Sequence, residues 1–204
     1  MKSALSHLDV SRETFERLDC YVSLLKKWTT KINLISSSSV ENVWTRHIQD
    51  SAQLLELAPR QASRWCDLGS GGGLPGLVVA IISFEMRPET QFTLIESDKR
   101  KAAFLRAASR EAGVPVEVIT DRIEEVAPVS AQVVSARALA PLPLLLGYAH
   151  RHLVVGGAAL LHKGEKSEAE LSEARKLWSF SEHSYSSSTE PNASILKIGD
   201  LSAV

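Results

Sequence analysis

A chain of 204 residues is the length of one ordinary domain, or of one domain with an appendage, and can bury roughly 70% of its unfolded surface without a disulfide or metal staple. Apolar residues make up 44% and charged residues 23%, which excludes bulk disorder. With 23 basic and 24 acidic side chains the formal net charge is −1, which excludes a protein that coats nucleic acid by overall charge and leaves only a local patch for any RNA or DNA contact.

Cys20 and Cys66 form no CxxC pair, and no His/Cys cluster has zinc spacing. Two reduced thiols and no metal are expected. No apolar run reaches the roughly 20 residues that span a bilayer. The N-terminal sequence MKSALSHLDVSRE lacks the apolar stretch of a signal peptide, so a cytoplasmic protein with no membrane segment is expected.

In chain order, Phe15, Leu18, Val22 and Leu25 recur at helical spacing between Ser11 and about Thr29, with Ser11 as the N-cap. Four serines, Ser36 to Ser39, follow. Ser39 is placed to cap a second helical stretch, Val40–Leu57, which Pro59 closes. Residues 1–62 thus read as an N-terminal helical extension, and residues 63–204 as the core of a single domain. Short β-branched and aromatic runs then alternate with helical segments. The strand candidates are Trp65–Leu68, Phe92–Ile95, Val116–Thr120, Val133–Ala136, Ala158–His162, Phe180–Ser184 and Ser194–Ile198. The helix candidates between them are Leu77–Phe84, Lys99–Ala112, Leu142–His152 and Lys166–Trp178. Such alternation predicts an α/β fold with a mostly parallel sheet. Ser184–Asn192 reads as a turn between antiparallel strands at its end. Tyr21, Trp28, Trp44, Trp65 and Trp178 are expected in the core rather than as base-stacking platforms.

The strongest chemical signal is Asp67-Leu68-Gly69-Ser70-Gly71-Gly72-Gly73-Leu74-Pro75-Gly76, at a strand-to-helix joint. Clustered glycines let the backbone adopt positive φ and pass close to a ligand. Gly71, Gly73 and Gly76 fit GxGxxG, a dinucleotide signal that is weak alone. The sequence GxxxxGK[ST] is absent, which excludes a P-loop. Glu96 ends the next strand, where a carboxylate can accept two ribose hydroxyls. Asp98 is the better cap for the helix starting at Lys99, which leaves Glu96 free for that role.

The pattern Asp-x-Gly-x-Gly-x-Gly, with an acid closing the second strand, resembles the S-adenosyl-L-methionine-binding core of class I, Rossmann-like methyltransferases. Four further segments, Trp28-Thr29-Thr30-Lys31-Ile32-Asn33-Leu34, Arg46-His47-Ile48-Gln49-Asp50-Ser51, Ser135-Ala136-Arg137-Ala138 and Lys163-Gly164, are similar to one family: the ribosomal RNA small subunit methyltransferase G, or glucose-inhibited division protein B. The resemblance runs from about Tyr21 to about Gly164. It implies methylation at N7 of one guanine in the decoding region of small-subunit ribosomal RNA, with that RNA or the small subunit as partner. A monomer is expected, although the sequence does not give the oligomeric state. By the same resemblance Asp67, Gly69, Gly71 and Leu74 of the loop hold the cofactor, Glu96 meets its sugar, and Ile123 and Glu124 meet its adenine. Arg137 matches an arginine lining the methyl-transfer pocket. The family often has Asp at position 96, and the tail Gly199–Val204 lacks the basic end of some members.

Substrate contacts are expected from Asn33, Arg46, His47, Asp50 and Lys163. Arg46 and Asp50 stand at i, i+4 and equally suit a pair on a helix surface. Arg137 and Lys163 each follow a strand, where α/β ligands sit. Lys99, Arg100, Lys101, Arg106 and Arg110 form a basic helical stripe that reads first as a solvated face. The residues do not name the catalytic group. Three other readings stay open: a small-molecule methyltransferase, a non-catalytic nucleotide- or ribosome-binding module, and a nicotinamide dehydrogenase, which would need a hydride-site acid or base that is not evident.

Overall fold

The computed structural model describes residues 10–165 and 167–204. The extreme N-terminus, read above as lacking a leader, and Lys166, read as a helix start, lie outside the described residues. Helix α1, Arg12–Thr29, begins as its sequence dictates: Ser11 Oγ accepts the Thr14 N–H at 3.0 Å and satisfies an otherwise orphan donor. Its apolar stripe of Leu18, Tyr21, Val22 and Leu25 is buried.

The second helical stretch is not the continuous helix expected over Val40–Leu57. It comprises a 3₁₀ turn at Ser37–Ser39, a π-helix at Trp44–Gln49, and two short helices, α2 (Asp50–Ala52) and α3 (Leu54–Leu57). Ser39 does not cap it: its Oγ donates to Ser36 O at 2.8 Å and faces His47 Nε2 at 2.9 Å. His47, Ile48, Asp50, Ser51 and Ala52 are all buried, a set too broad for one regular amphipathic stripe. Single π-turns of this kind recur at functional sites.

The sheet contains β1 (Arg64–Leu68), β2 (Gln91–Ile95), β3 (Glu117–Ile119), β4 (Ala131–Arg137), β5 (Leu153–Lys163), β6 (Trp178–Ser186) and β7 (Ser194–Ala203). Their order is β3-β2-β1-β4-β5-β7-β6. The first five are parallel; β7 runs antiparallel to both β5 and β6. Helices α4 (Gly76–Met86), α5 (Lys99–Ala112), α6 (Leu142–His152) and α7 (Ser167–Ala174) complete the crossovers. Trp178, expected to end a helix, instead opens β6. Its backbone pairs with Ala203 and its indole N–H donates to Pro143 O at 3.0 Å.

Side chains alternate across the sheet, giving two cores. Trp65, Leu94, Val133 and Leu160 join α1, α4 and α5, whereas Leu68, Ile95, Val134 and Leu161 join α6. The N-terminal helices therefore pack over one face of the sheet, beyond its own helices, and not on its edge. They lie over the α4–α5 layer, because the buried face of α1 matches α5: Tyr21 and Trp28 both meet Phe104.

On the α4 face of β1, Trp65 Nε1 donates to Ser135 Oγ at 2.8 Å, and Ser135 Oγ donates to Asp67 Oδ1 at 2.6 Å. Asp67 is fully buried, and α4 starts directly against it. A Cβ on Gly76 would stand 2.4 Å from Asp67 Cβ. Neither carbon can swing aside, since both are fixed to backbone. Gly76→Ala is therefore expected to destabilise the protein by about 1–3 kcal/mol, read as a lower urea midpoint at unchanged m-value. An unchanged midpoint would show that the loop does not depend on this approach.

Candidate active site

In open α/β sheets ligands bind beyond the carboxyl ends of the strands, and the glycine loop between β1 and α4 lies there. Gly69, Gly71 and Gly73 have φ of 65°, 53° and 86°, a region that costs other residues strain. The loop is tied at several points. Ser70 N donates to Ile95 O at 3.1 Å, Gly73 N to Ser70 O at 2.6 Å, and Tyr21 OH to Gly72 O at 2.6 Å. Burial pushes the Tyr21 phenol pKa upward, so it remains a donor.

Glu96 is not left free by the Asp98 cap. Asp98 does cap α5 through the N–H groups of Arg100 and Lys101; the Arg100 guanidinium hydrogen bond first, and then these backbone donors, pull its pKa down to about 2. Glu96 meanwhile accepts the Gly71 N–H through Oε2 and the Asp98 N–H through Oε1, both at 2.8 Å. A carboxylate has about four acceptor sites, so each oxygen keeps room for a ligand hydroxyl.

A cavity of about 350 Å³ opens beside these groups, lined by Gly69, Gly71, Glu96, Ile123, Glu124 and Tyr148, with Lys101, Ala138 and Leu139 at its walls. Of the expected cofactor residues, Asp67, Leu74 and Arg137 lie elsewhere. Asp67 is beneath the loop; burial lifts its pKa to about 6, against the opposing Ser135 and Ser70 hydrogen bonds. Leu74 packs in the core. A groove of about 860 Å³ runs from the starts of β1 and β2 along β3, but it is far broader and has no glycine loop, so position rather than size selects the site.

Arg137 lines a second cavity of about 230 Å³, together with Arg46, Asp50, His162, Lys163 and Glu190. Ala138, a non-glycine residue at φ 49°, belongs to both cavities. Asp50 is the hub of the second. Its Oδ1 accepts from Ser187 Oγ at 3.0 Å, Thr189 Oγ1 at 2.9 Å and Gln53 Nε2 at 3.2 Å, while Oδ2 lies 3.1 Å from Arg137 Nη1. Arg137 Nη2 donates to His47 Nδ1 at 2.9 Å. That leaves the proton on His47 Nε2, facing Ser39 Oγ.

Arg46 and Asp50 do not pair. The π-turn carries Asp50 inward to Arg137, and Arg46 stays on the rim with Glu190 at 2.7 Å. Lys163 is held by Glu170 and by Ala140 O, so it is not a free cation. Asn33 is exposed and lines neither cavity. In the basic stripe, Arg100 pairs with Asp98, and Arg106 donates to Val118 O and Thr120 Oγ1. Of the stripe residues, Lys101 reaches the larger cavity.

Several residues of the site gave no chemical signal in the sequence. His162 Nε2 donates to Asp50 O at 3.1 Å; its place at a strand end was its one visible clue. His152, the last residue of α6, donates to Ile123 O at 3.1 Å and accepts from Val129 N, fixing the loop that carries Ile123. Ser187, Thr189 and Glu190 lie in what reads locally as a serine-rich turn. Among the described residues, no group of three or more His, Cys, Asp or Glu is arranged to hold a metal ion, and no helix is long and apolar enough to cross a membrane.

Burial, then the Arg137 charge, pushes the His47 pKa down to about 4. Burial also lowers His152 and His162. Because the folded pKa lies below the free imidazole value, the His47 contribution to stability is complete above about pH 6.5 and is lost as pH falls towards 4. Asp67, with a raised folded pKa, has the opposite sign: its contribution is lost as pH rises through about 6. His47→Gln keeps an acceptor for Arg137 and a donor for Ser39 but does not titrate. Its melting temperature is expected to fall less than that of the wild type between pH 6.5 and 5. Parallel curves would show that His47 protonates freely in the folded state.

The family model of rRNA small subunit methyltransferase G matches residues 14–196. A ribosomal RNA small subunit methyltransferase G of Ruegeria pomeroyi is 52% identical over 197 residues, covering 97% of this chain and 96% of the relative. One from Paracoccus denitrificans is 49% identical, covering 95% and 98%. Among solved structures, an O-methyltransferase from Bacillus cereus in complex with SAH superposes with a TM-score of 0.62 at 13% identity, covering 98% of this chain and 96% of that one. A 16S rRNA methyltransferase of Thermus thermophilus, in complex with AdoMet and guanosine, gives 0.53 at 17% identity, over 74% of this chain and 38% of that one. The distant structures share the class I methyltransferase fold, and the close relatives settle the membership: this chain belongs to the rRNA small subunit methyltransferase G family.

Proposed function

We propose that the protein transfers a methyl group from S-adenosyl-L-methionine to N7 of a guanine in small-subunit ribosomal RNA. The observation that carries this is the adjacency of the two cavities, one built on the glycine loop and the other on Asp50 and Arg137, with Ala138 as their common wall.

The larger cavity suits the nucleoside. The nearest atom to a Cβ built on Gly71 is Gly69 O at 3.8 Å, so the loop leaves open space where a side chain would stand. Gly69, Gly71 and Glu96 would hold the sugar side, and Ile123, Leu139 and Tyr148 the adenine. When bound, the sulfonium supplies an activated methyl group.

The chain's own part is to hold the base in line, and such positioning can supply about 7–11 kcal/mol. Guanine N7 carries a lone pair and no proton, so no general base is needed. That agrees with the imidazoles of the second cavity: His47 is hydrogen-bonded at both nitrogens and His162 is locked on Asp50 O. Asp50 and Arg137 give the pocket its rigid wall, and Arg46 and Lys101 offer positive charge at the two mouths. A cytoplasmic, monomeric enzyme acting on the small subunit or its RNA is part of the same reading.

Adenosylhomocysteine is expected to raise the melting temperature, with about 2.7 kcal/mol gained at a concentration 100-fold above Kd; NAD is expected to give no shift. Gly71→Val should abolish that shift and Arg46→Ala should preserve it. Absence of any shift at millimolar adenosylhomocysteine would overturn the cofactor assignment. Methyl incorporation is expected into small subunits, or their RNA, from a strain lacking the enzyme, and should map to N7 of one guanine. Incorporation into small metabolites alone would overturn the RNA assignment.

A further inference from the structure

Most polar groups of the smaller cavity are engaged with one another. The Asp50 carboxylate is 7% exposed and meets Ser187, Thr189, Gln53 and Arg137. Arg137 is shared between Asp50 and His47, His162 donates to Asp50 O, and Lys163 is held by Glu170. These groups shape the walls, and the atoms they leave without a hydrogen-bond partner, Arg137 Nη1 and His162 Nδ1, are themselves buried.

The rim differs. Arg46 and Glu190 are 53% and 43% exposed and meet through one contact, Nη2 to Oε2. Glu190 Oε1 is left for solvent or ligand. The backbone that carries Glu190 is nevertheless firmly placed. Ser187 Oγ accepts the Thr189 and Glu190 N–H groups at 3.2 and 3.3 Å while donating to Asp50, and Ala193 N donates to Glu190 O at 3.0 Å. A half-exposed carboxylate on an anchored turn, at the mouth of a base-sized cavity, is built to recognise donors.

We propose that Glu190 selects guanine, its two oxygens accepting N1–H and N2–H of the base while Arg46 moves from Glu190 to a neighbouring phosphate. This rests on the guanine methyltransferase reading. Guanine is the nucleobase with two adjacent donors on its Watson–Crick edge, whereas adenine and cytosine present an acceptor at the central position. A carboxylate opposite an acceptor leaves two like groups face to face, which a desolvated site rejects strongly. N7 lies on the opposite side of the purine from that edge. A base gripped by Glu190 therefore turns N7 away from the rim, towards Ala138 and the glycine-loop cavity. Ala138 holds a left-handed backbone there (φ 49°), the kind of local strain that persists where the surroundings impose it.

The test is Glu190→Gln, which keeps the shape and an acceptor for Arg46 but sets an N–H₂ against the guanine donors. On unmethylated small subunits, kcat/KM is expected to fall about 10- to 100-fold, the range for a hydrogen bond to a charged group. The thermal shift with adenosylhomocysteine should be unchanged, and Glu190→Asp, which retains the carboxylate, should keep more of the rate. The second readout replaces the target guanosine by inosine, which lacks the N2 amine. That change should slow the wild type markedly and the Gln variant little. A Gln variant as fast as wild type, or equal inosine penalties in both, would overturn the assignment of Glu190 alone. A wild type that binds adenosylhomocysteine but methylates no RNA would overturn the function proposed above, and this inference with it.

Discussion

Asp67 has no exposed surface, yet the site is built over it. Its carboxylate takes the Ser135 hydroxyl, Ser135 takes the Trp65 indole N–H, and Gly76 brings α4 down onto its side chain. A buried polar group without partners costs several kcal/mol, so the chain Trp65–Ser135–Asp67 fixes how β1 and β4 present their carboxyl ends. The glycine loop follows from that. With its start held on Asp67 and its end on Gly76, the loop reverses direction over seven residues with three glycines in the left-handed region. Glu96 then gathers Gly71 and Asp98 from two different strand ends. The cavity proposed for the nucleoside is the space left by these constraints.

Asp50 does for the second cavity what Asp67 does for the first, by different means. It joins three parts of the chain far apart in sequence: the π-turn, the ends of β4 and β5 through Arg137 and His162, and the β6–β7 turn through Ser187 and Thr189. An isolated buried ion pair is weak evidence of stability. Here each partner is also hydrogen-bonded, through Asp50 Oδ1, Arg137 Nη2 and His162 Nε2, and such a network favours one arrangement over many. His47 extends it to Ser39 and Ser36, so the N-terminal segment becomes part of the pocket wall.

The two networks divide the labour. Groups that set geometry, Asp67, Asp50, Arg137, His47 and His162, are buried or half-buried and engaged mainly with one another, although Asp67 Oδ2, Arg137 Nη1 and His162 Nδ1 have no hydrogen-bond partner. The groups proposed to face ligand stand at the cavity surfaces with capacity to spare: Glu96 in the wall of one, Arg46 and Glu190 at the rim of the other. Ala138 connects them. A reaction in which an activated methyl group meets a lone pair requires positioning more than proton transfer, and rigid walls with a few open contacts are the structure that such a reaction needs.

The sequence by itself determined the strands, most of the helices and the glycine loop, but not the broken helical stretch around Trp44–Gln49. Ser11, the apolar stripe of α1, the β-branched runs and the glycine cluster act through contacts a few residues long, and those are written in local order. Among the described residues each expected strand overlaps an observed one, although β5 starts earlier, at Leu153, and β7 runs on to Ala203; Glu96 follows its strand into the cavity. The sequence did not determine the substrate side. The i, i+4 spacing of Arg46 and Asp50 suggests a surface pair, but the π-turn and the burial of Asp50 divert it to Arg137 over a separation of 87 residues. Ser187, Thr189 and Glu190 have no local pattern, because their role comes from docking a turn onto a distant carboxylate. Local interactions fix helix, strand and turn from neighbours in the chain. Which buried charges meet is decided only when packing removes water and makes each unpaired group costly.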